Sequence, residues 1–437
     1  MKKKEIDPIK AEKKRKRKKI NRIIDIVFII AILIYTFFPA ATAKLKIKNF
    51  DNYAQDVNRI VVPEATVTAL GEATHGNVEF QEMKLIVFQQ LVEQGYQAFA
   101  LEANYGDCAV VNDWIQGGDG TLEEMTQMLS FRIYHTEQMA DILSWMREYN
   151  AKVDDDKKLR FYGFDLQGMH EEARQILSYC RANNITEIEE YAAKLEKMDM
   201  SQEYYSQEQA EKLFAVVDSV KAILENHKDE ESAEYRRALH GAELIYDGIE
   251  MNKDSSLYSS KRDEYMAKNV SWIVEEEKNY GNTHLFICGH NGHVAKEGTN
   301  YKVMGEYLEE VYGENYFVIG TDYFKTECNM PQLDGERTTH QFTSSDPLAA
   351  QVKYMEEDMV YLDFDSVPET EKKLYNTIHS KMYMGSLSEA YSPIMKLAAY
   401  TYRIHKVPSD FYDAMILVYE ATPIEVQVAE SEDGTNE

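Results

Sequence analysis

The stretch Leu70-Gly71-Glu72-Ala73-Thr74-His75-Gly76-Asn77-Val78-Glu79-Phe80 constrains this chain more than any other. An apolar, β-prone lead-in from Val67 to Leu70 runs directly into Glu-x-x-His and then into a helical pattern. Strand end, acid, imidazole, helix start is the order in which α/β proteins place chemistry. Gly71 and Gly76 bracket the turn, where they can take backbone angles or close approaches that a Cβ would forbid.

The pattern continues from there. A helix from Val78 to Gln94 is expected to bury Phe80, Met83, Leu85 or Ile86, Phe88 and Leu91 at three- and four-residue spacing, with Gly95 as its C-cap. A strand from Ala98 to Glu102 follows. A strand, helix, strand unit of this length implies a parallel pair with a right-handed crossover, so Glu72 and Glu102 should emerge at one edge of the sheet. Helices near Ala109–Ile115 and Glu137–Tyr149 lead to a third strand, Leu159–Phe164, which ends in Asp165.

His170 to about Tyr280 is rich in Glu, Lys, Ala and Leu and contains no proline, which reads as a helical insertion. Its last helix places Arg262 on the inward face with Tyr265, Met266 and Val270, where a guanidinium needs a partner. A fourth strand, His284–Gly289, ends in His290-Asn291-Gly292-His293 and repeats the strand-end topology of Glu72 and His75. Further strands are expected at Tyr316–Gly320, Met359–Phe364 and Asp413–Tyr419. The expected fold is α/β, with a mostly parallel central sheet flanked by helices and a large helical insertion at about 170–280.

Charge is unevenly distributed. Residues 1–22 carry a net charge of +9 within a total of -27, leaving -36 for the remainder. A body so acidic excludes nucleic-acid binding, because phosphates are repelled. It fits a neutral or cationic substrate, or solubility alone. After the basic leader (1–22), residues 23–43 are apolar enough to read as a transmembrane anchor or signal segment. Basic residues stay cytoplasmic, which puts the body outside the cell membrane; cleavage after Ala41-Thr42-Ala43 would instead release a secreted protein. Residues 44–62 form a connecting segment, 63–425 the catalytic domain, and 426–437 an acidic, disordered tail. Cys108, Cys180, Cys288 and Cys328 lie far apart without a CxxC pair, so no structural disulfide is expected.

Taken together, Gly71-Glu72-Ala73-Thr74-His75-Gly76, Glu79-Phe80, Leu101-Glu102, Tyr162-Gly163-Phe164-Asp165, Arg262-Asp263 with Met266-Ala267 and Asn269-Val270, and His290-Asn291-Gly292-His293-Val294 resemble the erythromycin esterase family, in that order along the chain. The resemblance implies hydrolysis of an ester, in named members the macrolactone of a macrolide antibiotic, by a histidine-activated water. It implies His75 as the base and Glu72, Glu102, His290 and His293 as active-site acids and histidines, with Lys84 where some members have arginine. The basic leader and anchor depart from the cytoplasmic resistance enzymes.

The chemistry can be argued from the residues as well. Ester hydrolysis needs an activated water, an oxyanion stabiliser and a donor for the leaving alkoxide. A histidine held by Glu72 or Glu102 is fixed in one tautomer and made more basic, which suits His75. His290 or His293, with Arg262 and Lys84, can supply positive charge, and Asp165 extends the substrate-binding edge. The blander readings are that Glu72 and Glu102 cap helix N-termini and that Arg262 is a structural counter-ion. The chain has no Gly-x-Ser-x-Gly elbow for a serine nucleophile, and Cys288 reads as a buried strand residue. No cofactor is expected. One alternative uses the same Glu/His cluster to hold a divalent metal; another makes the chain a non-catalytic ligand-binding module on the cell surface.

Overall fold

The computed structural model describes residues 8–198, 204–229, 231–332, 335–396 and 398–427. Its strands are β1 (Ala54–Asp56), β2 (Val67–Glu72), β3 (Ala98–Asn104), β4 (Arg160–Asp165), β5 (Leu285–His290), β6 (Tyr316–Pro331), β7 (Arg337–Thr343), β8 (Met359–Asp363), β9 (Met382–Gly385), β10 (Arg403–Lys406) and β11 (Ala414–Ala421). β9 and β10 form a separate ribbon, and the other nine make one sheet in the order β1-β8-β11-β6-β2-β5-β3-β4, with β7 paired to β6. Its centre, β11-β6-β2-β5-β3-β4, is parallel, while β1, β7 and β8 pair antiparallel.

A parallel sheet needs both faces covered, and β2 shows how this is met. Leu70 points into a core with Phe88, Phe99, Phe161 and Phe286, under the helix Val78–Glu93. Val67 and Ala69 point into the opposite core with Met266, Val270 and Ile273 of the helix Tyr258–Glu277. The helices His170–Ala182, Glu189–Leu195, Gln207–Asn226 and Ala233–Met251 enclose a third core of their own.

Several expectations change in detail. β2 and β3 are parallel but do not pair: β5 lies between them, so Glu72 and Glu102 flank His290. The register of β3 against β4 shifts between Leu101 and Asn104, and β3 runs two residues past Glu102; a bulge of this kind re-aims a side chain near a site. β6 runs for 16 residues, far beyond Gly320, and turns back through β7. The helix Val78–Glu93 buries Lys84 and Val87, whereas Leu85 and Ile86 are half-buried. It ends at Gly95, with φ of 98°, and the Gly95 and Tyr96 N–H groups bond to the Val92 and Leu91 carbonyls. This is the expected glycine cap.

Residues Pro8–Ala43 form one helix whose apolar side chains, among them Ile23, Val27, Phe28, Ile34 and Phe38, are exposed. Among the described residues no helix is long and apolar enough to cross a membrane, so the expected anchor has no support here. The side chains of Leu33, Thr36 and Phe37 within that segment, and residues 428–437 of the expected tail, lie outside the described residues. All four cysteines are buried and free.

Candidate active site

The ends of β2, β3, β4 and β5 open on a cleft of about 460 Å³ lined by His75, Glu102, Arg262, His290 and His293, with Ser130–Tyr134, Gln167, Arg337, Ser388 and Glu389 completing its walls.

Close packing fixes the turn after β2. A Cβ on Gly71 would lie 2.1 Å from Asn291 Oδ1, and one on Gly76 would lie 2.2 Å from the Asn329 carbonyl. Close approach is therefore what requires glycine at both positions, and neither has a positive φ. The Gly76 carbonyl accepts from the Asn329 and Ile424 N–H groups, which ties the turn to β6 and to the chain after β11.

On this turn His75 Nδ1 lies 2.5 Å from Glu72 Oε1, and Lys84 Nζ lies 2.6 Å from Glu72 Oε2. Lys84 also donates to Gln81 Oε1 at 2.8 Å and is fully buried. Burial opposes ionisation of Glu72, but Lys84 and His75 outweigh it and hold the carboxyl at about 2. Burial likewise opposes charge on His75; Glu72 overcomes it and raises the imidazole to about 9. With Nδ1 turned to Glu72, Nε2 is left facing the cleft without a hydrogen-bond partner among the described residues.

The second half of the site is a closed ring. Arg262 donates Nε to Asp165 Oδ1 (3.0 Å) and Nη2 to both Asp165 Oδ2 and Glu102 Oε1 (2.7 Å each). Glu102 Oε2 accepts the His290 backbone N–H at 2.6 Å. Burial would raise the Glu102 pKa, but His293 and Arg262 hold it well below the carboxylate range. His293 Nδ1 lies 2.8 Å from Asp263 Oδ1, and its Nε2 lies 3.1 Å from Arg262 Nη1 and 3.4 Å from Glu102. Burial opposes its charge; Glu102 and Asp263 prevail and raise its pKa. His290 donates Nε2–H to the Leu387 carbonyl (2.9 Å) and accepts the Gly292 N–H at Nδ1 (3.1 Å). Burial, with the neighbouring charges of His75 and His293, pulls it down to about 4.

Of the residues singled out in the sequence, His75, Glu102, Arg262, His290 and His293 line the cleft, and Glu72 stands directly behind His75. Lys84 and Asp165 are placed inside the protein, not on the cleft wall: Lys84 balances Glu72, and Asp165 grips Arg262. Asp263, quoted from the sequence only as the neighbour of Arg262, has no role assigned there, although its position three and four residues before the buried Met266 and Ala267 marks a carboxyl on the inward face. The Leu387 carbonyl, Ser388, Glu389 and Arg337 carry no local signal. Long-range topology brings them in.

The same hydrogen bonds test the fit of a metal. Both oxygens of Glu72 and of Glu102 and both ring nitrogens of His290 and His293 already have protein partners, which does not suit a cation site. No group of three His, Cys, Asp or Glu among the described residues is disposed to hold a metal. Cys288 is buried, with its thiol pushed well up by burial, and does not line the cleft.

The model of the family described as erythromycin esterase matches residues 91–421. The chain belongs to the erythromycin esterase family. Glu72 at the end of β2, His75 on the turn after it and Lys84 on the helix Val78–Glu93 all precede the matched span. Erythromycin esterase type II of Escherichia coli is 24% identical over 327 residues, 65% of this chain and 75% of that protein. The crystal structure of a Bacillus cereus protein shares the fold with a TM-score of 0.74 at 22% identity, over 89% of this chain and 99% of that one. A histidine-to-asparagine mutant of the erythromycin esterase EreC, in its open conformation, gives a TM-score of 0.57 at 18% identity, over 84% and 93% of the two chains. As an erythromycin esterase family member, this chain is a hydrolase of the esterase type acting on a small molecule.

Proposed function

We propose that this erythromycin esterase family member hydrolyses an ester or lactone, a macrolide macrolactone among the candidates, by His75-directed attack of water. The observation that carries the proposal is the Glu72–His75 pair, which leaves one imidazole nitrogen free at a cleft whose other histidines have both nitrogens occupied.

In this scheme the neutral form of His75 takes a proton from water at Nε2 while Glu72 holds Nδ1–H and so fixes the tautomer. The hydroxide equivalent attacks the carbonyl carbon, and the carbonyl oxygen becomes an oxyanion beside the guanidinium of Arg262, which lines the cleft. The His75 imidazolium then returns its proton to the leaving alkoxide, giving acid and alcohol. Glu102, Asp165 and Asp263 hold Arg262 and His293 in place, and Lys84 offsets the charge of Glu72. The proposed cofactor requirement is none.

The test is to incubate the protein and its His75→Ala variant with macrolides, simple lactones and aryl esters and to read addition of one water by mass spectrometry. Hydration by wild type alone supports the reading. Ligand binding without turnover, unaffected by His75→Ala, would move the non-catalytic module to the front, and turnover that required added metal would favour the metal-dependent alternative.

For the N-terminal helix Pro8–Ala43 we propose lipid contact, because its exposed apolar side chains adjoin a basic run. Recovery of the full chain as a soluble, vesicle-indifferent protein would remove this part.

A further inference from the structure

The cleft walls are unequal in charge. The acids that line them are Glu102 and Glu389. Glu102 is held by Arg262 and the His290 N–H, and Glu389 is paired with Arg337. Arg337 is in turn occupied, donating Nε and Nη2 to the Asn329 side chain and carbonyl, both at 2.9 Å.

Arg132, which also lines the cleft, differs. It is exposed, and its guanidinium has no ion pair or hydrogen bond among the described residues. The backbone that presents it is nevertheless fixed. Arg132–Tyr134 is a 3-10 turn closed by His135 N–H to the Arg132 carbonyl at 3.1 Å, and Ile133 and Tyr134 are buried beneath it. Tyr134 donates its hydroxyl to the Glu102 carbonyl at 3.1 Å, and His135 Nε2 meets the Leu129 carbonyl at 2.7 Å. The turn is thus tied to the strand end that carries Glu102, while the cation on it is left unmatched. His75, raised to about 9, adds an N–H donor on the cleft at neutral pH. The acidic exterior does not oppose this over distance, since exposed charges are screened beyond about 8 Å at physiological salt.

A guanidinium offers five donors and no acceptor, in a fork that matches an oxyanion bidentately. We propose that Arg132 is the substrate-anchoring residue and that the natural substrate is an ester bearing a carboxylate or comparable oxyanion away from the scissile bond. This rests on the esterase reading above and, of the two explanations of the overall charge, leaves solubility and not a neutral or cationic substrate.

The test has two arms, both with the full chain. In the first, adipate, dimethyl adipate and inorganic phosphate are titrated calorimetrically into wild type, Arg132→Gln and Arg132→Lys. Adipate is expected to bind wild type at least about tenfold more tightly than Arg132→Gln, with partial recovery in Arg132→Lys, whereas the response to the diester should not depend on the residue at position 132. Phosphate binding in place of adipate would assign the anion as a phosphate; equal binding of adipate to wild type and Arg132→Gln overturns the proposal. In the second arm, hydrolysis of 4-nitrophenyl hydrogen glutarate is compared with that of 4-nitrophenyl butyrate. Arg132→Gln should raise KM for the anionic ester about tenfold more than for the neutral one, with similar kcat ratios. An equal fall in kcat for both esters would make Arg132 a reaction group and overturn it as a charge reader. If wild type turns over neither ester, the esterase reading fails, and the titrations still decide the charge preference.

Discussion

Glu72 and Glu102 are the same residue type, both buried, both at or near the ends of parallel strands on either side of β5, yet their surroundings differ. Glu72 has one cation inside the protein, Lys84, and one imidazole whose far nitrogen reaches the cleft. Glu102 belongs to a ring in which Arg262, Asp165, His293, Asp263 and the His290 N–H satisfy one another. Strand-end acids therefore do not mark catalysis by themselves. On the proposed mechanism, what separates the half that holds the base from the half that holds Arg262 is whether an imidazole nitrogen is left unfilled.

Substitutions in each half separate the two roles. His75→Ala removes the unfilled position, and turnover should fall by about 10²–10⁴-fold, the usual worth of a positioned base; a fall of similar size in the level of folded protein, read by circular dichroism, would mean the residue is structural. Arg262→Met opens the ring and strands two buried carboxylates, which should cost about 3–5 kcal/mol in urea unfolding.

A third test uses pH. The ordinary histidine value is about 6.5, and His75 is raised to about 9 in the fold. Its contribution is therefore full below about 6.5 and is lost as pH rises through about 9. His290 is lowered to about 4, so its contribution is full above about 6.5 and is lost as pH falls through about 4. The difference in unfolding free energy between wild type and His75→Gln should shrink by on the order of 3 kcal/mol from pH 6 to 10, and the difference for His290→Gln should shrink toward pH 4. The smallest expected effect is that of Lys84→Met. With Lys84 gone, Glu72 acts on His75 alone, and the rising limb of the rate profile should move to higher pH by about one unit; an unmoved limb would show that Lys84 does not tune the base.

Much of this was legible in the chain itself. The apolar runs ending in Glu72, Glu102, Asp165 and His290 predict parallel strands with polar ends, because a strand buried on both faces must be apolar until it leaves the sheet. Arg262 on an inward helical face predicted its acidic partners. What sequence spacing does not encode is neighbour order. β5 lies between β2 and β3 although nearly two hundred residues separate them in the chain, and the loop after β9 brings the Leu387 carbonyl to His290. Lys84, expected to supply positive charge at the substrate-binding edge, lies inside instead, because a buried carboxylate at the end of β2 gives it a partner. The shift at Glu102 is local, but the residues Leu101 to Asn104 contain no glycine or proline to announce it.

The most direct measurement is the rate of ester hydrolysis from pH 6 to 10 for wild type and His75→Ala on the same substrate. The account predicts a wild-type rate rising about tenfold per pH unit to a plateau near about 9, with a flat variant profile lying far below it. A His75→Ala rate that stayed near wild type, or that kept the same rising limb, would contradict the assignment of His75 as the base.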